Sequence, residues 1–126
     1  MGNRAVIVSK DTTKSNANKK VGIYVHWYGN KEDVQRALDK AKELHVRSVT
    51  ADTTYFWARF CQVFANIITE DYKNSMFESN FDQAYTTGIG IGIVSQLDCH
   101  NCDNGVYYID DNFKIVKQTS GAELED

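Results

Sequence analysis

The chain has 126 residues, of which 42% are hydrophobic and 12% aromatic, enough for one domain with a real core and too few for two. A net charge of −3 does not support a basic groove for nucleic acid. No apolar run reaches the roughly 18 residues that suggest a membrane span. Three cysteines, an odd number, favour a reduced cytoplasm over a secreted disulfide framework. We therefore expect a single cytoplasmic domain over residues 1–126, with no nucleic-acid or membrane partner.

The N-terminal region predicts a strand and then a loop. RAVIVS at residues 4–9 is short and rich in β-branched side chains, as strands are. The polar stretch that follows, at about residues 10–20, has no apolar anchor and predicts a mobile loop.

Residues 21–28 predict a second strand with aromatic rings on both faces. Strands with one solvent-exposed face normally alternate apolar with polar residues, so either both faces are covered or one lines a pocket. If one face covers a helix, the other is an exposed aromatic plate, which typically marks binding. The helix-facing set is predicted to be Ile23, Val25 and Trp27, and the plate Tyr24, His26 and Tyr28.

Two helices are predicted in the middle of the chain. Asn30 and Asp52 are suitable N-cap residues. Apolar residues at helical spacing from Val34 to Leu44 predict that the first helix buries one stripe. The second helix is apolar almost all round and is predicted to be central. Residues 70–87 show weak periodicity and predict an irregular segment.

The C-terminal region predicts further strands. GIGIGIV at residues 88–94 alternates strictly, and we expect something large, such as the Trp57 ring, to approach its glycine face. Asn104 and Gly105 form a hairpin signal, and residues 106–116 predict two short strands or one bulged strand. Residues 119–126 predict a disordered acidic tail. Strands at both ends of the chain favour an α+β fold, an antiparallel sheet of about four strands with two helices packed on one face.

A polar line runs along the otherwise apolar second helix, at spacings of four, three and four residues. Its guanidinium and amide groups suit a phosphate, a carboxylate or a base edge, and its tyrosine offers a ring for stacking. The alternatives are that the line is only the solvent side of the helix, or that its arginine pairs with Glu70 or Asp71. Together, the plate and the line supply the predicted ligand-binding residues, and the sequence leaves open whether they form one site: Tyr24, His26, Tyr28, Tyr55, Arg59, Gln62 and Asn66.

Metal and catalytic signatures are weak. Cys99 and Cys102 form a lone C-x-x-C pair, which is half of a zinc site, so we predict no metal and no cofactor. A single histidine is more often a structural hydrogen-bonding group than a catalyst, and no local nucleophile motif appears. We therefore predict no catalytic residues, with a hydrolase using His26 or His45 as an alternative.

The segments GNRAVI, GIYVHWYGN, YFWARFCQVFANII and NCDNGVYYIDDNFKIV together resemble a family of small proteins of Gram-positive bacteria and their phages. The resemblance covers both strand-rich ends and the central helix, leaves residues 10–20 and 70–87 unmatched, and carries over no catalytic residue. It implies a phage accessory protein of the host cytoplasm that inhibits host defence, either by binding a host protein or by sequestering a signalling nucleotide.

Three classes of function follow. The first is a homo-oligomeric protein that binds and sequesters a small, anionic, nucleotide-like ligand, and the aromatic, amide and arginine side chains favour it. The second is an inhibitor that blocks a host defence protein, for which a net charge of −3 is a weak acidic face. The third is a small hydrolase, for which the sequence offers no visible nucleophile.

Overall fold

The computed structural model describes residues 2–74, 88–97 and 103–119, together with Leu124. Strands β1 (Ala5–Ser9) and β2 (Val21–Val25) precede helices α1 (Lys31–Glu43) and α2 (Thr53–Lys73). Strands β3 (Ile89–Ile93), β4 (Val106–Ile109) and β5 (Ile115–Thr119) follow. The strands form one sheet in the order β3-β2-β1-β4-β5. The predicted α+β fold is confirmed. None of the helices in these ranges is long and apolar enough to cross a membrane.

The sheet is mixed and has five strands, whereas the sequence predicted about four antiparallel ones. β1 and β4 run parallel, with Val6 opposite Val106, and the other three pairs are antiparallel. β1 is the middle strand and all five of its residues are buried, as expected for a strand covered on both faces.

Both helices pack on one face of the sheet, as predicted. β1 and β2 meet them through the side chains of Ile7, Ile23 and Val25. Three phenylalanines one turn apart on α2 form a run of ring contacts, with Phe56 and Phe60 stacked at 5.4 Å between centroids. We call this layer the helix-side core; its other large members are Val34, Leu38, Trp57, Phe64, Ile68, Tyr107, Ile109 and Phe113.

The helix ends follow from their capping residues. Asn30 Oδ1 accepts a hydrogen bond from the Asp33 amide at 2.8 Å, and Asp52 Oδ1 accepts one from the Tyr55 amide at 3.2 Å, so both predicted N-caps are confirmed. The buried stripe of α1 ends at Ala41, because Leu44 is 54% exposed. α2 continues through residues 70–73, where the sequence predicted an irregular segment; residues 75–87 lie outside the described residues.

The opposite face of the sheet is also covered. Short 3-10 turns at Ala17–Lys19 and Val94–Gln96 lie over it. The expectation that residues 10–20 lack an apolar anchor is therefore wrong, since Ala17 is buried there; the mobility of this segment stays a prediction. We call this layer the back-face core, formed by Val6, Val8, Ala17, Val94, Val106 and Tyr108.

The C-terminal region forms two strands, which is the first of the two alternatives that the sequence predicted for residues 106–116. β4 and β5 are joined around Asp110, whose carboxylate accepts from the amides of Asn112 at 2.9 Å and Lys114 at 3.0 Å. Asn104 and Gly105 precede β4 instead of forming that hairpin, although Gly105 does have the positive φ (73°) that the motif favours. The predicted tail starts one residue too early, because Thr119 still belongs to β5. Of the tail residues after Thr119, Leu124 is described, and it packs against the back-face core.

Candidate functional site: a polar cleft and the outer surface of α2

The predicted polar line lies on one exposed side of α2, as helical spacing requires: Tyr55, Arg59, Gln62 and Asn66 are all exposed. The Arg59 guanidinium carbon is 4.5 Å from the centroid of the Tyr55 ring, and its Nη2 donates a hydrogen bond to the Tyr55 hydroxyl. The suggested pairing of Arg59 with Glu70 or Asp71 is wrong, because Asp71 binds Arg36 through two contacts of 3.0 and 3.1 Å. Within the described ranges, no carboxylate contacts Arg59.

A second arginine reaches the same ring. Arg47, in the loop between the helices, has its guanidinium carbon 5.5 Å from the Tyr55 ring centroid. Its charge is partly offset by Asp52, at 3.1 Å. Such cation–π contacts on an exposed ring are individually weak. We call Arg47, Tyr55 and Arg59 the arginine–tyrosine cluster; sequence reasoning missed Arg47 because a loop residue carries no helical spacing.

The predicted aromatic plate is wrong in one member, Tyr28, and the strand that carries it is shorter than expected. β2 ends at Val25, three residues early, and Tyr28 has a left-handed backbone with φ of 65°. Tyr28 therefore turns to the helix side, where its ring meets Tyr72 edge-on at 6.3 Å. Trp27, expected against the helices, is 43% exposed and lies against the His26 ring at 5.0 Å.

Tyr24 and His26 remain together. The Tyr24 hydroxyl and His26 Nδ1 are 2.9 Å apart, and Tyr24 packs against the back-face core. The helices lie on the other face of the sheet. The seven predicted ligand residues therefore do not form one site, because the sheet separates Tyr24 and His26 from the polar line of α2.

Tyr28 instead belongs to a charged network that joins the end of β2 to both helices. Burial, together with the nearby Asp71 carboxylate, raises the pKa of Tyr28 to about 12. The hydrogen bond from Arg36 holds the pKa of Asp71 below its ordinary value. This arrangement links α1 to α2, so we assign it a role in the stability of the fold.

A groove between α1 and α2 lies beside the polar line. It has a volume of about 1040 Å³. Leu44, Val63 and Ile67 supply apolar surface, and Asn66 is the one member of the polar line that borders it. Gln35 and charged side chains of both signs complete the lining: Lys31, Glu32, Arg36, Asp39, Lys40, Glu43 and Glu70.

A smaller, polar cleft of about 520 Å³ lies where β1 ends and α2 begins. Ligands in open α/β sheets bind at the carboxyl ends of parallel strands, and β1 and β4 run parallel here. The 10–20 segment and the first turn of α2 supply its walls. We call it the polar cleft; its lining is Ser9, Asp11, Lys19, Lys20, Val21, Val49, Thr50, Thr53, Thr54 and Trp57.

Donors dominate the polar cleft. Asp11 is already satisfied, since it accepts from Ser9 Oγ at 2.5 Å and Lys20 Nζ at 2.8 Å, and the hydrogen bond from Lys20 lowers its pKa. Lys19 contacts no carboxylate among the described residues, and the Thr54 hydroxyl has no partner there. The first amide N–H groups of α2 also point out of its N-terminus, as in any helix. The arrangement can therefore donate hydrogen bonds to an anion.

The sequence predicted no metal site and no local nucleophile motif. In the part of the chain that it describes, no group of three or more His, Cys, Asp or Glu side chains is placed to hold a metal ion; Cys99 and Cys102 lie outside that part. Burial raises the pKa of the Cys61 thiol to about 11, so Cys61 is a protonated thiol at neutral pH. The hydrolase alternative stays a prediction.

Comparison with known proteins finds no matching family model, no matching curated protein and no matching solved structure. The resemblance to proteins of Gram-positive bacteria and phages therefore stays a prediction.

Proposed function

We propose that this protein is a binding protein that captures a small, anionic, nucleotide-like ligand, and that the ligand's phosphate occupies the polar cleft. One observation carries the proposal: a concave site of suitable volume, about 520 Å³, presents donors that have no acceptor within the described residues. Small-molecule sites typically measure about 300–1000 Å³. The groove between α1 and α2 is the weaker place for a small anion, because it touches the polar line only at Asn66 and its charged lining residues are of both signs.

The charge of the polar cleft agrees with an anion. Lys20 and Asp11 neutralise each other, which leaves the ammonium group of Lys19 as the net charge of the lining. The partial positive charge at the N-terminus of α2 adds to it. The Thr54 hydroxyl would then add a hydrogen bond to a phosphate oxygen, whereas the Thr53 hydroxyl already donates to the Val49 carbonyl at 2.8 Å.

The resemblance adds a biological setting. A small phage protein that holds a signalling nucleotide lowers its free concentration, and so inhibits a host defence that depends on it. Sequestration needs affinity and abundance but no chemistry, which agrees with the sequence prediction that the protein is not an enzyme.

The experiment is calorimetric titration of the purified protein with ATP, GTP, cyclic dinucleotides and inorganic phosphate. We expect at least one of the nucleotides to bind, more weakly as salt increases. Loss of one charge-assisted contact costs roughly 1.5–3 kcal/mol, so Lys19→Ala should weaken binding about tenfold to a hundredfold. Lys42→Ala removes an exposed lysine from α1 and is the matched control.

Two results would contradict the proposal. The first is that none of the anions binds. The second is that Lys19→Ala binds as tightly as the parent protein. If Arg59→Ala weakens nucleotide binding and Lys19→Ala does not, the ligand lies on the polar line of α2, as the sequence predicted, and the assignment to the polar cleft is wrong.

A protein partner is the second candidate, favoured by the arginine–tyrosine cluster next to an apolar-lined groove. Tyrosine and arginine are enriched among the residues that dominate the energies of protein interfaces. Tyr55 and Arg59 are exposed, and Leu44 adds apolar surface to the neighbouring groove. A partner of this kind, such as a host defence protein, would lose affinity in Arg59→Ala and keep it in Lys19→Ala.

A further inference from the structure

In the part of the chain that the structure describes, β3 is an edge strand that lacks the usual protection. Among the described residues, no strand pairs with its outer side. Its sequence, IGIGI, contains no charge and no proline. Natural proteins normally shield such edges with lysine, proline or a bulge, because unpaired backbone groups invite another strand. β5, at the other edge, follows that rule and carries Lys117.

The backbone of β3 points its isoleucine amides outward. The His26 amide donates to the Gly88 carbonyl at 2.7 Å and the Val94 amide donates to the Lys20 carbonyl at 2.8 Å. In an antiparallel ladder, the residues that bond a given neighbour alternate. Gly90 and Gly92 therefore bond β2, and the N–H and C=O groups of Ile89, Ile91 and Ile93 face the open edge.

The side chains of the same residues form an exposed apolar strip. Ile91 lies opposite Ile23 in the ladder, so the isoleucines of β3 share the helix side of the sheet. The helices do not reach the end of this row: Ile91 is 56% exposed, Ile93 39% and Val21, opposite Ile93, 37%. An apolar strip beside an unpaired backbone is the surface that strand addition requires.

We propose that β3 pairs with β3 of a second copy of this chain, in an antiparallel, two-fold symmetric dimer centred on Ile91. The sequence IGIGI reads the same in both directions about Ile91, so an axis there places isoleucine opposite isoleucine and glycine opposite glycine. A two-fold interface uses the same patch on both copies. A palindromic strand meets that condition, whereas the β3 sequence IGIGI has no charged or hydrogen-bonding side chain that would select a foreign peptide.

The proposed pairing satisfies the outward backbone groups. Ile91 pairs with Ile91 of the second copy, and each Ile89 pairs with Ile93 of the other chain. Because these are the outward-bonding residues, each of the three pairs exchanges two hydrogen bonds, about six in all. The exposed isoleucine side chains of the two copies then become neighbours on the helix side, which removes their apolar surface from water.

The helix layer leaves room for the second copy. α2 lies over β2 and β3, and Val63 and Ile67 face α1 across the groove. The opposite flank of α2 carries Ala58, Cys61 and Ala65, at spacings of three and four residues that place them on one side. Small side chains on that flank allow α2 of the second copy to approach across the joined β3 strands.

The experiment measures the mass of the intact chain in solution, by light scattering after size-exclusion chromatography at about 100 μM, a concentration chosen to populate even a weak dimer. We expect twice the 14.3 kDa mass of one chain. Ile91→Lys places a charge at the centre of the interface, so the measured mass of this variant should be that of one chain. Val116→Lys is the matched control: Val116 is 52% exposed on the opposite edge strand, and this variant should remain a dimer.

Three results would overturn the proposal: a parent protein with the mass of one chain, an Ile91→Lys variant that remains dimeric, or open-ended assemblies larger than a dimer. Circular dichroism checks that Ile91→Lys folds. If it does not fold, hydrogen exchange of the parent protein decides. The amides of Ile89, Ile91 and Ile93 should become more protected as protein concentration increases, and unchanged protection of these amides also overturns the proposal.

Discussion

Removal of one buried hydroxyl tests the packing between the sheet and the start of α1. Tyr107 is fully buried in β4, and its hydroxyl donates a hydrogen bond to the Gly29 carbonyl at 2.8 Å, next to the N-cap of α1. Tyr107→Phe keeps the ring and its packing. It leaves the Gly29 carbonyl without this donor, so the variant isolates one hydrogen bond between elements that are far apart in the chain.

The expected cost follows from the burial of that bond. A hydrogen-bonding group left buried without its partner typically costs about 1–3 kcal/mol. At about 4 °C per kcal/mol for a domain of this size, the midpoint of thermal unfolding should fall by about 4–12 °C. Denaturation in guanidinium chloride should show the same loss in the free energy of unfolding, with an unchanged m-value.

Tyr55→Phe is the control, because it deletes the same atom from an exposed tyrosine. Its hydroxyl bonds Arg59 on the outside of α2, and an exposed contact of this kind should contribute less than about 0.5 kcal/mol. Two results would refute this expectation. The first is that the free energy of unfolding of Tyr107→Phe lies within about 0.5 kcal/mol of that of the parent protein, a threshold set by typical surface substitutions. The second is that Tyr107→Phe and Tyr55→Phe lose equal stability.

Three further changes test other contacts. Gly29→Ala would place its Cβ 2.3 Å from the Asn3 carbonyl oxygen, so urea unfolding should show a loss of roughly 1–3 kcal/mol from the forced shift; an unchanged midpoint would contradict this. The pKa of Asp71 is lowered by Arg36, so its stabilising effect is present above its ordinary pKa and is lost as pH falls; Asp71→Asn should flatten the acid limb of the stability curve. The pKa of Tyr28 is raised to about 12, so stability should fall as pH rises from about 10 to 12, and an identical alkaline slope in Tyr28→Phe would argue against this burial.

Local features of the fold were predictable because each depends on neighbouring residues. The caps at Asn30 and Asp52 need only the following turn, and the buried stripe of α2 needs only helical spacing. The parallel pairing of β1 with β4 depends on residues about a hundred positions apart, and no short pattern specifies it. One signal was present: RAVIVS is apolar at consecutive positions, which is typical of a strand covered on both faces.

The candidate site was less predictable than the fold. The spacing of Tyr55 and Arg59 correctly placed both on one exposed side of α2. The polar cleft joins Lys19 to Thr54 from distant segments, so it exists only once the topology is known. Tyr28 left the plate because its backbone is left-handed, a conformation that non-glycine residues seldom adopt and that sequence patterns therefore miss.

The expected approach of Trp57 to the glycines of β3 is wrong for a similar reason. Trp57 belongs to the helix-side core, while Gly90 and Gly92 face the other side of the sheet. Within the described ranges, no atom apart from those of its chain neighbours lies within 4 Å of a Cβ built at Gly90. The strict alternation of GIGIGIV correctly predicts a strand, but alternation alone does not show which face of that strand the rest of the domain covers.

The position of β1 has a consequence for the order in which the protein can fold during synthesis. β1 leaves the ribosome well before β4, its partner on one side, and Val6 stays unpaired on that side until Val106 has been synthesised. Until then the middle strand of the sheet has one open side, so hairpin β1–β2 and the helices can form only a partial layer. Ribosomes add roughly 5–20 residues per second, so this strand stays half-paired for about 5–20 seconds. During that interval the open side of β1 can be covered only by chaperones or by the helices of the chain itself, until β4 emerges.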